Sequence, residues 1–165
     1  MVTVNLRPAT PDDVPFLRRM QWAAVMASPG LVARRGVAVL EAIEDRFWAA
    51  WPTPEAIAVV AESAEGQPLG AVIIKVHERV AGRIIGYRLA LAVESEARRH
   101  GIGRRLLAWA QQFAAKAGAD YLLLYVDPTN EPAVGAYQVT GFAFGDPDGA
   151  VPMIVRFPRP ASDDQ

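Results

Sequence analysis

Val93-Glu94-Ser95-Glu96-Ala97-Arg98-Arg99-His100-Gly101-Ile102-Gly103-Arg104-Arg105-Leu106-Leu107 is the stretch that decides the fold of this chain. A strand-like segment, 87–93, runs into it, and a helix-like segment, 104–117, runs out of it. The turn between them is basic and holds two glycines. Such a turn leaves backbone N–H groups free at a helix N-terminus. With the positive end of the helix dipole they form a seat for phosphate oxygens. Gly101 and Gly103 lack a Cβ, so a phosphate can come close to the backbone. Arg98, Arg99, Arg104 and Arg105 offer charge-assisted hydrogen bonds around the same point. A dinucleotide-binding glycine fingerprint needs glycine at 106, where this chain has Leu106, and no Gly-Lys-Ser/Thr triplet supplies a P-loop.

Working outward, 165 residues suit one domain with a real core. We expect that domain over 1–158, with a mobile tail at 159–165. A net charge of −1 gives no general attraction to nucleic acid, so the arginines at 98–105 are a local patch. The absence of cysteine excludes disulfides and thiol nucleophiles and suits a cytoplasmic protein. Two histidines, His77 and His100, are too few and too scattered for a metal site. No apolar run reaches the ~18–20 residues that span a bilayer. The first residues lack the charged start and apolar block of a signal peptide.

Alternation at Val2, Val4 and Leu6 predicts a short strand ended by Pro8. Thr10, Pro11, Asp12 and Asp13 open a helix, with Phe16, Leu17, Met20, Ala24 and Met26 inward, and Ser28-Pro29-Gly30 breaks it. A second helix spans 37–50, with Leu40, Ile43 and Phe47 on one stripe. Segments 56–62, 69–77 and 84–93 read as three consecutive strands joined by turns at 65–68 and Gly82. The helix after the basic turn ends at Gly118, and the nearly all-apolar segment 121–126 suits a central strand covered on both faces. Asn130 caps a short helix through Thr140, and 142–144 and 152–157 close the sheet. The order β-α-α-β-β-β-α-β-α-β-β predicts an α/β protein of α+β type. Its mixed, mostly antiparallel sheet has six to seven strands, flanked by about four helices.

Two motifs give this order a family resemblance. Arg98-Arg99-His100-Gly101-Ile102-Gly103 resembles the Arg/Gln-x-x-Gly-x-Gly/Ala signature of GNAT-family N-acetyltransferases. The run from Asn130 through Ala133 and Tyr137 to Gly141-Phe142 resembles that family's Asn-x-x-Ala-x-x-x-Tyr-x-x-x-Gly-Phe pattern. The resemblance covers nearly the whole chain and implies a GNAT fold that binds acetyl-CoA and uses no metal. It implies direct transfer of an acetyl group to a primary amine of a small molecule or peptide, with neither nucleic acid nor membrane as partner. A catalytically silent acyl-CoA-binding sensor or interaction module is the alternative. By register, Leu91, Ala92 and Val93 would pair with the pantetheine arm in a gap between splayed parallel strands. The loop from Arg98 through Arg99, His100, Gly101, Ile102 and Gly103 to Arg104 would hold the pyrophosphate, with Arg104 ranked above Arg105. Asn130 would cap its helix and bond the cofactor arm. Tyr137 would protonate the departing thiolate, and a backbone N–H of Leu91 or a neighbour would stabilise the oxyanion.

One departure stands out: the strand 84–93 has no glutamate where many members place one, so the general base is open among Glu78, His77, Glu44, Asp45 and water. Acceptor choice would lie with the 27–36 connection, the second helix and the 146–151 loop. Trp48, Trp51, Asp146 and Asp148 read either as a pocket frame or as core and turn residues. Lys75 and Lys116, the only lysines, suggest nothing catalytic. The family also makes a homodimer plausible.

Overall fold

The computed structural model describes residues 3–145 and 152–158. Seven strands form one sheet: β1 (Val4–Pro8), β2 (Ala56–Ser63), β3 (Pro68–Val80), β4 (Arg83–Val93), β5 (Tyr121–Tyr125), β6 (Ala143–Phe144) and β7 (Pro152–Arg156). Their spatial order is β1-β2-β3-β4-β5-β7-β6. Every neighbouring pair is antiparallel except β4 and β5, which run parallel because a helical crossover joins them. The expected GNAT-type mixed sheet is therefore present.

Five α-helices cover the two faces: α1 (Val14–Met26), α2 (Pro29–Arg35), α3 (Val37–Ala50), α4 (Ile102–Lys116) and α5 (Glu131–Val139). On one face α4 sets Ile102, Leu106, Leu107, Ala110 and Ala114 against Val72, Ile74, Leu89, Leu122 and Leu124. On the other, Leu17 and Met20 of α1 and Trp48 of α3 pack on Ala58, Val60, Ala71 and Ile73. The strands buried on both faces lose their polar alternation, as 121–126 foretold.

Three local readings need correction. The stretch at Ser28-Pro29-Gly30 ends one helix and starts another: Pro29 lies in the first turn of α2, where its missing N–H costs nothing. No residue of α2 is buried, so it carries no apolar stripe by which the sequence could announce it. The buried stripe of α3 is Leu40, Glu44 and Trp48 rather than Leu40, Ile43 and Phe47. Glu44 tolerates burial because Trp48 Nε1 donates to its Oε2 at 2.8 Å and Gln21 Nε2 donates to its Oε1. Met26, expected inside, is exposed. Among the described residues no helix is long and apolar enough to cross a membrane. The proposed tail at 159–165 and the loop at 146–151, with Asp146 and Asp148, lie outside the described residues.

Candidate active site

The sheet opens where its two parallel strands diverge. The β4–β5 ladder consists of Gly86↔Tyr121, Tyr87↔Leu122 and Arg88↔Leu123, and stops there. β4 runs on with β3 to the pair Gly70↔Val93, while Leu124 and Tyr125 stay with β7. Beyond Leu89 N–H, which closes the Arg88↔Leu123 rung, the β5-side edge of β4 has no strand partner. Alternation identifies the groups on that edge. Ile85 O accepts from Asp120 N–H at 2.8 Å on the β5 side, so Tyr87, Leu89, Leu91 and Val93 share it. Arg98 Nε donates to Val93 O from that side at 3.3 Å. Ala92 faces the other way: a Cβ placed on Gly70 of β3 would stand 3.0 Å from Ala92 O. Of the trio Leu91, Ala92 and Val93, then, Leu91 offers open main chain and Val93 an open N–H, its O being engaged by Arg98. Leu89 adds its C=O, and Ala92 contributes only its small side chain.

The basic turn follows directly. Gly101 caps α4 with φ 77° and ψ 8°, a left-handed conformation that glycine adopts without strain. An added Cβ there meets nothing within 4 Å, so the dihedral rather than crowding calls for glycine. Arg99 is also left-handed, at φ 70°. The N–H groups of residues 99–104 have no acceptor among the described residues, and the first helical return bond is Arg105 N–H to Gly101 O at 3.1 Å. Six consecutive donors thus converge at the start of α4. Ile102 offers only its N–H, since its side chain is in the core. Arg99, His100 and Arg104 are exposed, and Arg98 lines the cavity described next. Arg105 is committed elsewhere: its Nη1 donates to Val4 O at 2.6 Å and ties α4 to the first strand.

A cavity of about 880 Å³ fills the gap between β4 and β5. Leu89 to Val93 form one wall, Leu124 to Val126 the other, and Asn130, Ala133 and Tyr137 of the α5 region border it. Asn130 Oδ1 accepts from Ala133 N–H at 3.3 Å, the capping role read from the sequence. Tyr137 packs edge-on to Phe142, with ring centroids 5.9 Å apart, and among the described residues nothing hydrogen-bonds its hydroxyl. Burial pushes this phenol above its ordinary value, so it is protonated at neutral pH and can give a proton.

The candidate bases separate by position. Glu78 accepts from Tyr121 OH at 2.7 Å, Asp45 is ion-paired with Arg18, and His77 is exposed; none of the three lines the cavity. Glu44 does line it, at the end under α1 and α3. Trp48 is a core residue bonded to Glu44, and neither it nor Trp51 borders the cavity.

Lys75, in which the sequence suggests nothing catalytic, stands in the cavity wall. Its Nζ lies 3.9 Å from the centroid of the Phe47 ring. Burial, aided by Arg88, pushes its ammonium down to about 8. The available sequence signal is a charge next to a long apolar run in each of two strands, Lys75 after 69–74 in β3 and Arg88 before 89–93 in β4.

Comparisons agree with this geometry. The model of the acetyltransferase (GNAT) family matches residues 22–142. A mycothiol acetyltransferase from Thermobifida fusca is 30% identical over 125 residues, which are 72% of this chain and 39% of that protein. The chain therefore spans about two fifths of that curated relative. The yncA protein of Salmonella typhimurium, solved with its cofactor acetyl-CoA, superposes with a TM-score of 0.72 at 17% identity over 98% of each chain. The paia N-acetyltransferase of Thermoplasma acidophilum, solved with coenzyme A, does so with a TM-score of 0.64 at 18% identity, covering 94% of this chain and 99% of that one. At these identities the two structures attest the fold.

Proposed function

The chain belongs to the GNAT acetyltransferase family, and from that premise we propose that it transfers the acetyl group of acetyl-CoA directly to a primary amine of a small molecule or peptide. The observation that carries this function is the unpaired β4 edge lying between six free N–H donors and a half-buried tyrosine.

The residues fit the donor substrate. The donors at 99–104, with Arg98, suit a pyrophosphate, and Arg99, His100 and Arg104 stand at the exposed rim for further phosphate contact. The main chain of Leu91, with Leu89 C=O and Val93 N–H, can pair with amide groups as a sheet edge pairs with a strand, and the small Ala92 leaves the gap wide. Acetyl-CoA supplies an activated thioester whose sulfur leaves as a thiolate.

The chain's own groups then have separable tasks. The open N–H of Leu91 on the β4 edge polarises the acetyl carbonyl. Tyr137 holds a proton at neutral pH and delivers it to the leaving sulfur. Without any cysteine, no thiol is at hand for a covalent acyl-enzyme, and direct attack by the amine is the simpler course.

The test is release of free thiol from acetyl-CoA with an amine panel, in wild type and Tyr137→Phe. We expect turnover to fall about a hundredfold or more in the variant, within the range for loss of a general acid, with acetyl-CoA affinity nearly kept. Unchanged turnover would remove Tyr137 from the acid role. Tight acetyl-CoA binding without thiol release across the whole panel would favour the silent binding module.

A further inference from the structure

The inner end of the cavity carries charges that this chemistry does not use. Lys75 of β3 and Arg88 of β4 are directly opposed in the antiparallel ladder, so their side chains leave the same face of the sheet, toward α1 and α3. Like charges placed opposite each other destabilise a strand pair. Neither has a hydrogen-bond acceptor or ion-pair partner among the described residues. Their contacts are with aromatic rings instead, Lys75 with Phe47 and Arg88 Cζ at 5.9 Å from the centroid of Tyr125. Arg34 and Arg35, in the last turn of α2, add positive charge to the same wall.

Among the described lining residues the sole carboxylate is Glu44, and both its oxygens are engaged, by Gln21 Nε2 and Trp48 Nε1. A carboxylate only accepts, so Gln21 must turn its amide nitrogen toward Glu44. That fixes the amide and leaves Gln21 Oε1 buried with no donor. Gln21 is 2% exposed and borders the cavity beside Glu44.

Phosphates held at the α4 turn do not answer these cations. Arg88 precedes Val93 by five residues, which places it roughly 17 Å away along the strand. Arg88 and Lys75 flank the last rung before the split, where a thioester reaching down the gap meets its acceptor.

We propose that the acceptor is a small zwitterion, an amine that carries its own oxyanion, with Arg88 and Lys75 holding the anion. The oxyanion is a carboxylate or a phosphate-type group, since the planar guanidinium and the compact ammonium can share the oxygens of either. A bound anion also restores the charged form of Lys75 that burial opposes. In the reaction the ammonium gives one proton to water, its nitrogen bonds to the acetyl carbon, and its second proton passes through water to restore the Tyr137 hydroxyl that protonated the sulfur. The C–S bond breaks with its electron pair on sulfur, and the anion serves only to orient the amine. This assignment rests on the acetyltransferase reading.

The test compares matched acceptors by thiol release at subsaturating concentration: free L-amino acids, their amides, and the corresponding 1-aminoalkylphosphonates. Wild-type protein, Arg88→Gln and Lys75→Met are assayed alongside a melting curve with acetyl-CoA. The expected result is a preference of about tenfold or more in kcat/KM for an anionic acceptor over its amide, collapsing toward unity in each variant. Carboxylate and phosphonate arms show which oxyanion the site takes. Amides working as well as the acids, or a preference that survives both substitutions, would overturn the proposal and leave acetyl transfer intact. Silence toward every acid and phosphonate while acetyl-CoA still raises the melting temperature would overturn it too. Absence of both thiol release and a melting shift would overturn the acetyltransferase function, and the proposal with it.

Discussion

At the scale of single residues, environment decides which polar groups are free to act. Tyr137 and Tyr121 are both phenols raised by burial, yet only the Tyr137 hydroxyl lacks a protein partner, because Tyr121 donates to Glu78. Lys75 gives a prediction with a sign. Its folded value of about 8 lies below the ordinary lysine value, so the folded protein binds fewer protons than the unfolded chain between the two. Its destabilising effect is fully present below pH ~8 and is relieved as pH rises toward ~10. Lys75→Met should therefore raise the melting temperature at pH 7, and its advantage should shrink by pH 10 in parallel melting curves. Asp13 runs the opposite way. Arg7 grips it with two hydrogen bonds of 2.8 and 2.9 Å, Thr10 N–H adds a third, and its carboxyl is held below the usual range. That stability is present above the usual carboxylate range and is lost as pH falls through the folded-state value. Asp13→Asn should cost about 2 kcal/mol at pH 7 by urea denaturation and flatten the acid limb of the stability profile.

At the scale of elements, the β4–β5 junction holds the site open by pairing briefly and then parting. Gly86 starts that pairing, and a Cβ there would fall 2.1 Å from Tyr121 Cζ. Gly86→Ala should force the Tyr121 ring out of place, break its bond to Glu78 and lower the melting temperature by several degrees, whereas Gly135→Ala, which meets nothing within 4 Å, should not. The start of α4 makes a second demand. Gly101→Val would place a β-branched residue at φ 77° and should weaken acetyl-CoA binding tenfold or more by titration calorimetry, through displacement of the donors at 99–104. These elements were legible to different degrees. Both glycines of the turn and the cap at Asn130 announce themselves by residue type. The parting of the strands does not, because Leu89 to Val93 look the same whether their outer edge is paired or open. The missing pairing is a matter of main-chain direction, and no side chain records it.

At the scale of the whole molecule, the strand and helix order, α2 apart, was readable because each of the other segments keeps one period and ends on a turn residue. What escaped involves groups far apart in sequence. Glu44 looks like a surface acid until Gln21 and Trp48 are brought to it, and Lys75 and Arg88 look like isolated charges until the ladder sets them opposite each other. The fold thus builds a cavity that runs from Arg98, next to the donor-rich turn at α4, to a charged floor beneath α1 and α3. The central claim, that this cavity seats acetyl-CoA, is tested most directly by thermal unfolding with and without it, with desphospho-CoA and NAD as controls. At about 100 times its dissociation constant the ligand should add about 2.7 kcal/mol. For a chain of this length that is a rise of roughly 5–10 °C. Such a rise with acetyl-CoA and none with NAD is the predicted result. No rise at millimolar acetyl-CoA would contradict the claim and leave the 98–103 turn as a helix start alone.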